Sequence, residues 1–180
     1  MTVENRLILV RASLEYKPQI IEMLKEWEEY NATHVTDHSP RAIFRDYQNF
    51  DGYIERLEKE EKNPGPGLVP ATTYFALDKE RNIIVGACNI RHYLNDFLKR
   101  GGGHIGDGVR PSERRKGFGT EIIKLALDKC REMGIDRVLI SCDKGNEGSR
   151  KTIINNGGVF EEEVTFEDGR ILQKYWIELR

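Results

Sequence analysis

The stretch RPSERRKGFGTEIIKLAL, residues 110–127, sets three consecutive cations and two glycines against the start of an amphipathic segment. The segment predicts a helix, and the start of a helix carries backbone N–H groups without intrahelical acceptors and about half a positive charge. Because Gly117 and Gly119 have no side chains, an anion can reach those N–H groups while the cations at 114–116 lie alongside. These residues are typical of a phosphate site, and equally of a solvated basic turn that enters an ordinary helix.

A second glycine-rich stretch, GGGHIG at 101–106, matches the dinucleotide fingerprint G-x-G-x-x-G. That fingerprint binds pyrophosphate only where a helix begins at the glycines. Here Val109, Arg110 and Pro111 follow, and the helical pattern begins only near Gly117. We therefore expect a turn and a glycine-rich strand in this region rather than a Rossmann site.

The N-terminal half of the chain predicts one strand, two or three helices and a long surface loop. Ser39 and Pro40 have the residue types that cap and open a helix, and the apolar stripe that follows extends to Leu57. Gly52 lies inside that stripe and is expected to divide it into two shorter helices. The other predicted elements of this half are a strand at 6–13, a helix at 17–31 and a loop at 62–70.

The C-terminal half alternates strands with helices. Two β-rich runs separated by KERN predict an antiparallel hairpin, and Asp168-Gly169 is a strong signal for a second hairpin. Asn146 is a plausible N-cap and Gly157 a plausible stop for a short helix. The predicted elements of this half are strands at 72–78, 83–92, about 104–110 and 137–143, helices at 117–133 and 146–157, and two final strands.

Composition limits the classes of protein that this chain can represent. The 28 Lys and Arg residues balance 30 Asp and Glu residues, giving a net charge of −2, so no global basic field points to nucleic acid. The apolar run at 7–10 is too short for a signal-peptide core or a membrane span. Three cysteines without C-x-x-C spacing favour reduced thiols, so we expect a cytoplasmic protein without nucleic-acid or membrane partners.

One histidine pair has the spacing of a metal site on a helix. His34 and His38 lie four residues apart with Asp37 between them. Ser39-Pro40 ends that stretch and no third strong ligand is marked, so a loop between helices is the better interpretation. We therefore expect no metal.

The stretch at 110–127 also carries a family resemblance. Arg114-x-x-Gly117-x-Gly119, preceded by a strand ending at Val109 and followed by an amphipathic helix, resembles the acetyl-CoA motif of the GNAT superfamily, the Gcn5-related N-acetyltransferases. NEGSRKTIINNGGVFEEE, beginning at Asn146, resembles the next segment of that family. The order of elements is similar over nearly the whole chain, and residues 91–120 resemble a bacterial branch of predicted acetyltransferases.

The resemblance implies that acetyl-CoA is the acetyl donor and places its binding groups. Backbone amides at 115–120 would hold the pyrophosphate, and the pantetheine arm would lie where the fourth strand separates from the fifth. An N–H near Val109 would polarise the thioester carbonyl. The implied cofactor-binding residues are Val109, Arg114, Arg115, Lys116, Gly117, Phe118, Gly119, Thr120, Asn146 and Ser149.

The implied reaction needs a base for the acceptor amine and an acid for the leaving thiolate. His104 and Asp107, on the strand that separates, are the candidate bases. Alternation along a strand places them on opposite faces, so at most one should face the substrate, and either could instead be a hydrogen-bonded strand residue. Ile153 occupies the position where many relatives have the Tyr that acts as general acid. Water, Ser149 or Tyr175 would then have to supply the proton to the leaving thiolate.

The resemblance implies a single GNAT domain over 1–180, an α/β fold with a mixed, twisted sheet of six or seven strands and helices on both sides. The expected activity is direct transfer of an acetyl group to a primary amine of a small-molecule or peptide acceptor, and a homodimer is possible. Arg91 and His92, after the third strand, are candidates for the acceptor pocket. Two alternatives remain open: a catalytically weak acyl-CoA-binding module, and a nucleotide- or polyphosphate-binding protein.

Overall fold

The computed structural model describes residues 5–35 and 38–180. Helices and strands follow one another in the predicted order, with short helical turns at Arg41–Ile43, Leu98–Gly102 and Pro111–Glu113. The longer elements are β1 (Leu7–Val10), α1 (Lys17–Asn31), α2 (Phe50–Lys62), β2 (Ala71–Asp78), β3 (Ile83–Arg91), β4 (Ile105–Val109), α3 (Phe118–Glu132), β5 (Arg137–Asp143), α4 (Glu147–Asn155), β6 (Val159–Thr165) and β7 (Ile171–Glu178).

The predicted helix from Ser39 is wrong, because the chain makes only one 3-10 turn there. Asp46 has a φ of 58°, which a helix interior does not allow, and α2 begins afterwards at Phe50. Asn49 caps α2, its side chain accepting a hydrogen bond from the Gly52 N–H at 3.4 Å. Gly52 therefore lies in the first turn of α2 and divides nothing.

The seven strands form two antiparallel sheets, in the orders β1-β2-β3-β4 and β5-β7-β6. The α/β class and the strand number are as expected, and so is the separation of β4 from β5. However, the seven described strands do not form one mixed sheet, because no ladder joins β4 to β5. They meet at one point, where the His104 N–H donates to the Leu139 carbonyl at 2.7 Å. Beyond that point the two strands diverge and leave a gap.

Two apolar clusters cover the two faces of the first sheet. Ile122 and Ala126 of α3 pack with Val138 and Ile140 of β5 in one cluster. The other cluster joins α1 and α2 to the opposite face and includes Trp27. The sheet thus has helices on both sides, as predicted, and β4 presents a different helix to each of its faces.

A polar network ties the end of β2 to the loop that precedes α3. Asp78 is fully buried and accepts hydrogen bonds from Nε of Arg6 at 3.0 Å and Nε of Arg81 at 2.7 Å. Arg81 also donates to Glu113 at 2.8 Å, and Lys116 donates to the same carboxylate at 3.1 Å. These hydrogen bonds therefore hold the loop between β4 and α3 against the end of β2.

We expect Asp78→Asn to destabilise the protein by about 2 kcal/mol or more at pH 7. Burial acts to raise the pKa of Asp78, but hydrogen bonds from Arg6 and Arg81 outweigh it and lower the pKa from 3.8 to about 2. A lowered carboxyl pKa contributes stability that is complete above about pH 4 and is lost as the pH falls through about 2. Urea unfolding should therefore show that the difference in free energy of unfolding between wild type and Asp78→Asn becomes smaller below pH 4.

Asp128→Asn is the matched control for Asp78→Asn. Asp128 accepts from Arg131 at 2.6 Å, but both side chains are about half exposed. Because solvent screens an exposed pair, this variant should lose less than about 1 kcal/mol. Equal losses in the two variants would contradict the role assigned to the buried network.

No helix within residues 5–35 and 38–180 is long and apolar enough to cross a membrane. The same part of the chain contains no group of three or more His, Cys, Asp or Glu side chains placed to hold a metal ion. Of the histidine pair considered above, His34 lies in the turn after α1 and His38 follows in a loop, while Asp37 lies outside the described residues.

Candidate functional site

A cavity of about 550 Å³ opens where β4 and β5 diverge. One wall is β4 itself, and a second is made by the loop at 113–115 and the first turn of α3. The start of α4 and Ser141 of β5 close the third side. The lining from the α1 side consists of Trp27, Val35 and Ser39.

The first turn of α3 presents its backbone to this cavity. Gly117 is the N-cap residue, with a φ of 85°, and no side chain in the described part of the chain caps the helix. The backbone N–H groups at 118–120 therefore have no intrahelical acceptors, and Gly117, Gly119 and Thr120 form part of the cavity lining. The backbone at 117–120 is called the cradle. A Cβ at Gly119 would lie 3.3 Å from Oγ1 of Thr152, so the lack of a side chain at Gly119 leaves space in the cradle. Uncapped amides at a helix start fit an anionic group such as a pyrophosphate.

The three cations before the cradle have different positions. The Arg114 guanidinium turns toward α1, donates to the Val109 carbonyl at 3.1 Å and lies 4.8 Å from the centre of the Tyr30 ring. Arg115 is exposed, has a φ of 63° and lines the cavity. Lys116 is absent from the cavity lining in the described part of the chain, and its ammonium contacts Glu113. The Lys116 side chain, expected to be a phosphate ligand, therefore pairs with Glu113 inside the loop.

The backbone of β4 supplies further polar groups to the gap. The Arg110 N–H donates to the Val85 carbonyl of β3 at 2.8 Å. Because backbone groups alternate along an antiparallel strand, the amides of Asp107 and Val109 point away from β3, toward the gap. Both residues line the cavity. This places the Val109 N–H on the side where the sequence interpretation put it.

His104 is fixed at the point where β4 and β5 meet. Its Nδ1 accepts a hydrogen bond from the Leu139 N–H at 2.9 Å, so the ring proton resides on Nε2. Burial, and then the nearby charge of Arg91, lower the pKa of His104 to about 4. With its basic nitrogen engaged and its ring outside the cavity lining, His104 holds the two strands together and does not have the geometry of a general base.

Asp107 lines the cavity on the α3 side of β4. Burial raises the pKa of both Cys88 and Cys142, and the Asp107 carboxylate raises both further. The pKa of Cys142 is about 11, so this thiol stays protonated at neutral pH. Asp107 thus brings a carboxylate to the gap between the strands.

The start of α4 forms the wall opposite α3. Asn146 caps this helix, its Oδ1 accepting from the Ser149 N–H at 3.1 Å, and both residues line the cavity. Burial raises the pKa of the Cys142 thiol, and hydrogen bonding from Ser149 acts to lower it. Ile153 is 1% exposed and belongs to the core, and the Tyr175 hydroxyl donates to Gln173 at 2.9 Å. Of these side chains, Ser149 has the hydroxyl that faces the cavity.

Sequence reasoning missed several residues of the site. Glu113 had no local signal, since its role depends on Arg81, which is 32 residues earlier in the chain. Trp27 is both a core residue and part of the cavity wall. Its apolar spacing in α1 could not reveal the second role, because that role is set by the packing of α1 against β4.

Comparison with known proteins gives a family match. A family model described as an acetyltransferase (GNAT) domain matches residues 6–159. No curated protein matches the chain significantly in sequence.

Several solved structures share the fold at low sequence identity. The microcin C7 self-immunity acetyltransferase MccE, solved with acetyl-CoA and AMP, is 17% identical with a TM-score of 0.69, over 99% of this chain and 96% of that one. The ribosomal-protein-S5-alanine acetyltransferase of Vibrio fischeri is 16% identical with a TM-score of 0.68, over 96% and 91%. The yncA protein of Salmonella typhimurium, solved with acetyl-CoA, is 13% identical with a TM-score of 0.64, over 98% and 95%.

Proposed function

Because this chain belongs to the GNAT family of acetyltransferases, we propose that it transfers an acetyl group from acetyl-CoA to a primary amine by direct attack within a ternary complex. The observation that carries the proposal is the uncapped start of α3, which opens into the gap between β4 and β5. Two solved structures with this fold contain acetyl-CoA, which supports the choice of donor. The acceptor is a small-molecule or peptide amine.

The chain can hold the donor along the length of the cavity. The amides from Arg115 to Thr120 would bind the pyrophosphate, with the Arg115 side chain beside it. Asn146 and Ser149 would contact the donor from the α4 side. The outward-facing backbone of β4 would pair with the pantetheine arm. The Lys116 side chain is not proposed as a ligand, since its ammonium contacts Glu113, and only its backbone amide belongs to the run that would bind the pyrophosphate.

Three groups of the chain are proposed to carry the chemistry. Acetyl-CoA supplies the acetyl group as a thioester. The Val109 N–H would stabilise negative charge on the thioester oxygen. The Asp107 carboxylate would take the proton from the acceptor amine, directly or through one water, since an amine is mostly charged at pH 7. The Ser149 hydroxyl would donate a hydrogen bond to the departing thiolate and relay to it a proton taken from solvent water, because Ile153 has no proton to give.

Ligand-dependent melting followed by thiol release tests this function. Acetyl-CoA and CoA should raise the melting temperature and ATP should not, because a ligand stabilises only the state that binds it. Release of free CoA thiol with a panel of primary amines should then follow.

Each other outcome has a definite meaning. A shift with ATP and none with acetyl-CoA would contradict the donor site and support a nucleotide-binding protein. A shift with acetyl-CoA but no thiol release with any amine would support the alternative of an acyl-CoA-binding module, which the lack of a Tyr at 153 favours.

A further inference from the structure

The carboxylate of Glu26 bridges the two ends of the turn that follows β4. Its Oε2 accepts a hydrogen bond from Nε of Arg110 at 2.5 Å, and its Oε1 accepts from the Ser112 N–H at 2.8 Å. Glu26 belongs to α1 and lies 84 residues before Arg110 in the chain. One side chain of α1 therefore holds both ends of the turn that begins directly after Val109.

Arg110 depends on Glu26 more than on its other acidic neighbour. Arg110 is 7% exposed, and its Nη2 also donates to Glu22 at 3.0 Å. The Glu22 side chain is 64% exposed, whereas that of Glu26 is 27% exposed. Burial acts to raise the pKa of Glu26, but hydrogen bonds from Ser112 and Arg110 outweigh it and lower the pKa. Because solvent screens the Glu22 carboxylate more, Glu26 provides the stronger ion pair.

The peptide group between Val109 and Arg110 is held at both of its polar atoms. The Arg110 N–H donates to the Val85 carbonyl at 2.8 Å. The Val109 carbonyl accepts from Nε of Arg114 at 3.1 Å. With its guanidinium held by Glu26 as well, Arg110 is fixed through both its backbone and its side chain.

The direction of the Val109 N–H depends on this anchor. That N–H belongs to the peptide group after Gly108, and glycine has more backbone freedom than any other residue. A Cβ at Gly108 would lie 2.7 Å from Cη2 of Trp27, so the close packing of α1 requires a glycine there. Since β4 cannot stiffen its own end with a side chain at 108, the orientation of Val109 relies on how firmly the chain after it is held.

We infer that Glu26 is a positioning residue for acetyl transfer, holding the turn after β4 so that the Val109 N–H stays directed at the thioester oxygen. This inference rests on the acetyl-transfer function proposed above. Glu26 is not part of the cavity wall among the described residues, so it would act through Val109. An N–H stabilises a developing oxyanion only where it is aligned with that oxygen.

Loss of this anchor should affect transfer more than donor binding. The cradle at 117–120 belongs to α3, and the loop before it is held separately, by hydrogen bonds from Arg81 and Lys116 to Glu113. The amides that would bind the pyrophosphate therefore keep their support when Glu26 is changed. The two effects can be measured independently.

Glu26→Gln is expected to lower kcat about 30-fold while the dissociation constant of acetyl-CoA changes less than about 2-fold. Gln has nearly the shape of Glu, but it lacks the charge and cannot accept from Arg110 and Ser112 with two equivalent oxygens. Removing an oxyanion donor costs about 100-fold or more, and a misaligned donor should cost less. Thiol release and isothermal titration measure the two quantities, and KM for the acceptor should stay unchanged.

Infrared spectroscopy of bound acetyl-CoA, isotope-labelled at the thioester carbonyl, gives a readout that needs no acceptor. A hydrogen bond from the Val109 N–H should lower the carbonyl stretching frequency relative to free acetyl-CoA. In Glu26→Gln the frequency should return toward the free value, although acetyl-CoA still binds. A purely structural role for Glu26 would lower the melting temperature without this change.

Two further variants separate geometry from charge. Glu22→Gln is the matched control, because it removes the more exposed carboxylate beside Arg110. It should change kcat less than about 2-fold. Glu26→Asp keeps the charge but shortens the side chain, so it cannot reach both Arg110 and Ser112, and it should lower kcat about 10-fold or more.

The outcomes distinguish this inference from the function on which it rests. An unchanged kcat or carbonyl frequency in Glu26→Gln, or equal losses of kcat in Glu26→Gln and Glu22→Gln, would overturn the inference. If Glu26→Gln does not fold, the same measurements on Glu26→Asp decide. A wild type that does not bind acetyl-CoA, or that binds it and releases no thiol with any amine, would overturn the proposed function itself.

Discussion

Gly119→Val is expected to abolish stabilisation by acetyl-CoA and to raise its dissociation constant more than about 100-fold. A Cβ at Gly119 already comes within 3.3 Å of Thr152 Oγ1 and 3.6 Å of Val109 Cγ2, so the two methyl groups of Val are expected to crowd this part of the cavity. There they would cover the uncapped amides of α3, which is where the pyrophosphate is proposed to bind. Isothermal titration or ligand-dependent melting measures the loss.

Gly117→Val is expected to act by straining the backbone, and Gly157→Val is its control. Gly117 has a φ of 85° with nothing near its Cβ position, so substitution there strains the backbone rather than filling space. Gly157, at the far end of α4, has a φ of 88°, an equally open Cβ position and no part in the cavity lining. Gly157→Val should lower the melting temperature about as much as Gly117→Val and keep acetyl-CoA binding. If Gly119→Val binds acetyl-CoA like the wild type, the cradle is not the donor site.

Asp107→Asn is expected to lower kcat about 100-fold or more at pH 7, with stabilisation by acetyl-CoA unchanged. The amide is nearly isosteric with the carboxylate but cannot take a proton from an ammonium group. At higher pH more of the acceptor is already neutral and needs no base. The ratio of wild-type to variant rates should therefore narrow from pH 7 to about pH 10, which a pH–rate profile would show.

Asp168→Asn is the control for Asp107→Asn. Asp168 lies in the exposed turn between β6 and β7, where Asn-Gly serves as well as Asp-Gly. This variant should keep the wild-type profile. A rate ratio for Asp107→Asn that stays constant with pH would contradict a role as base and would indicate a positioning role instead.

Local chemistry explains what could be predicted. The start of α3 at Gly117, the cap of α4 at Asn146 and the hairpin at Asp168-Gly169 are each encoded within a few residues, because caps and turns depend on near neighbours. The helix expected from Ser39 shows the limit of such signals. The chain makes a single 3-10 turn after Ser39, and Asn49 rather than Ser39 caps the helix that follows.

The family and its fold follow from the sequence alone, and so does the proposal of an anion site at 117–120, since a glycine-rich helix start is a local feature of the chain. The tertiary structure decided which charges are used. Glu113 engages Lys116, and Leu139 fixes His104. Each of these outcomes depends on which side chain a residue meets across the fold. The burial and the partner of an ionisable group, rather than its residue type, determine whether it serves structure or chemistry.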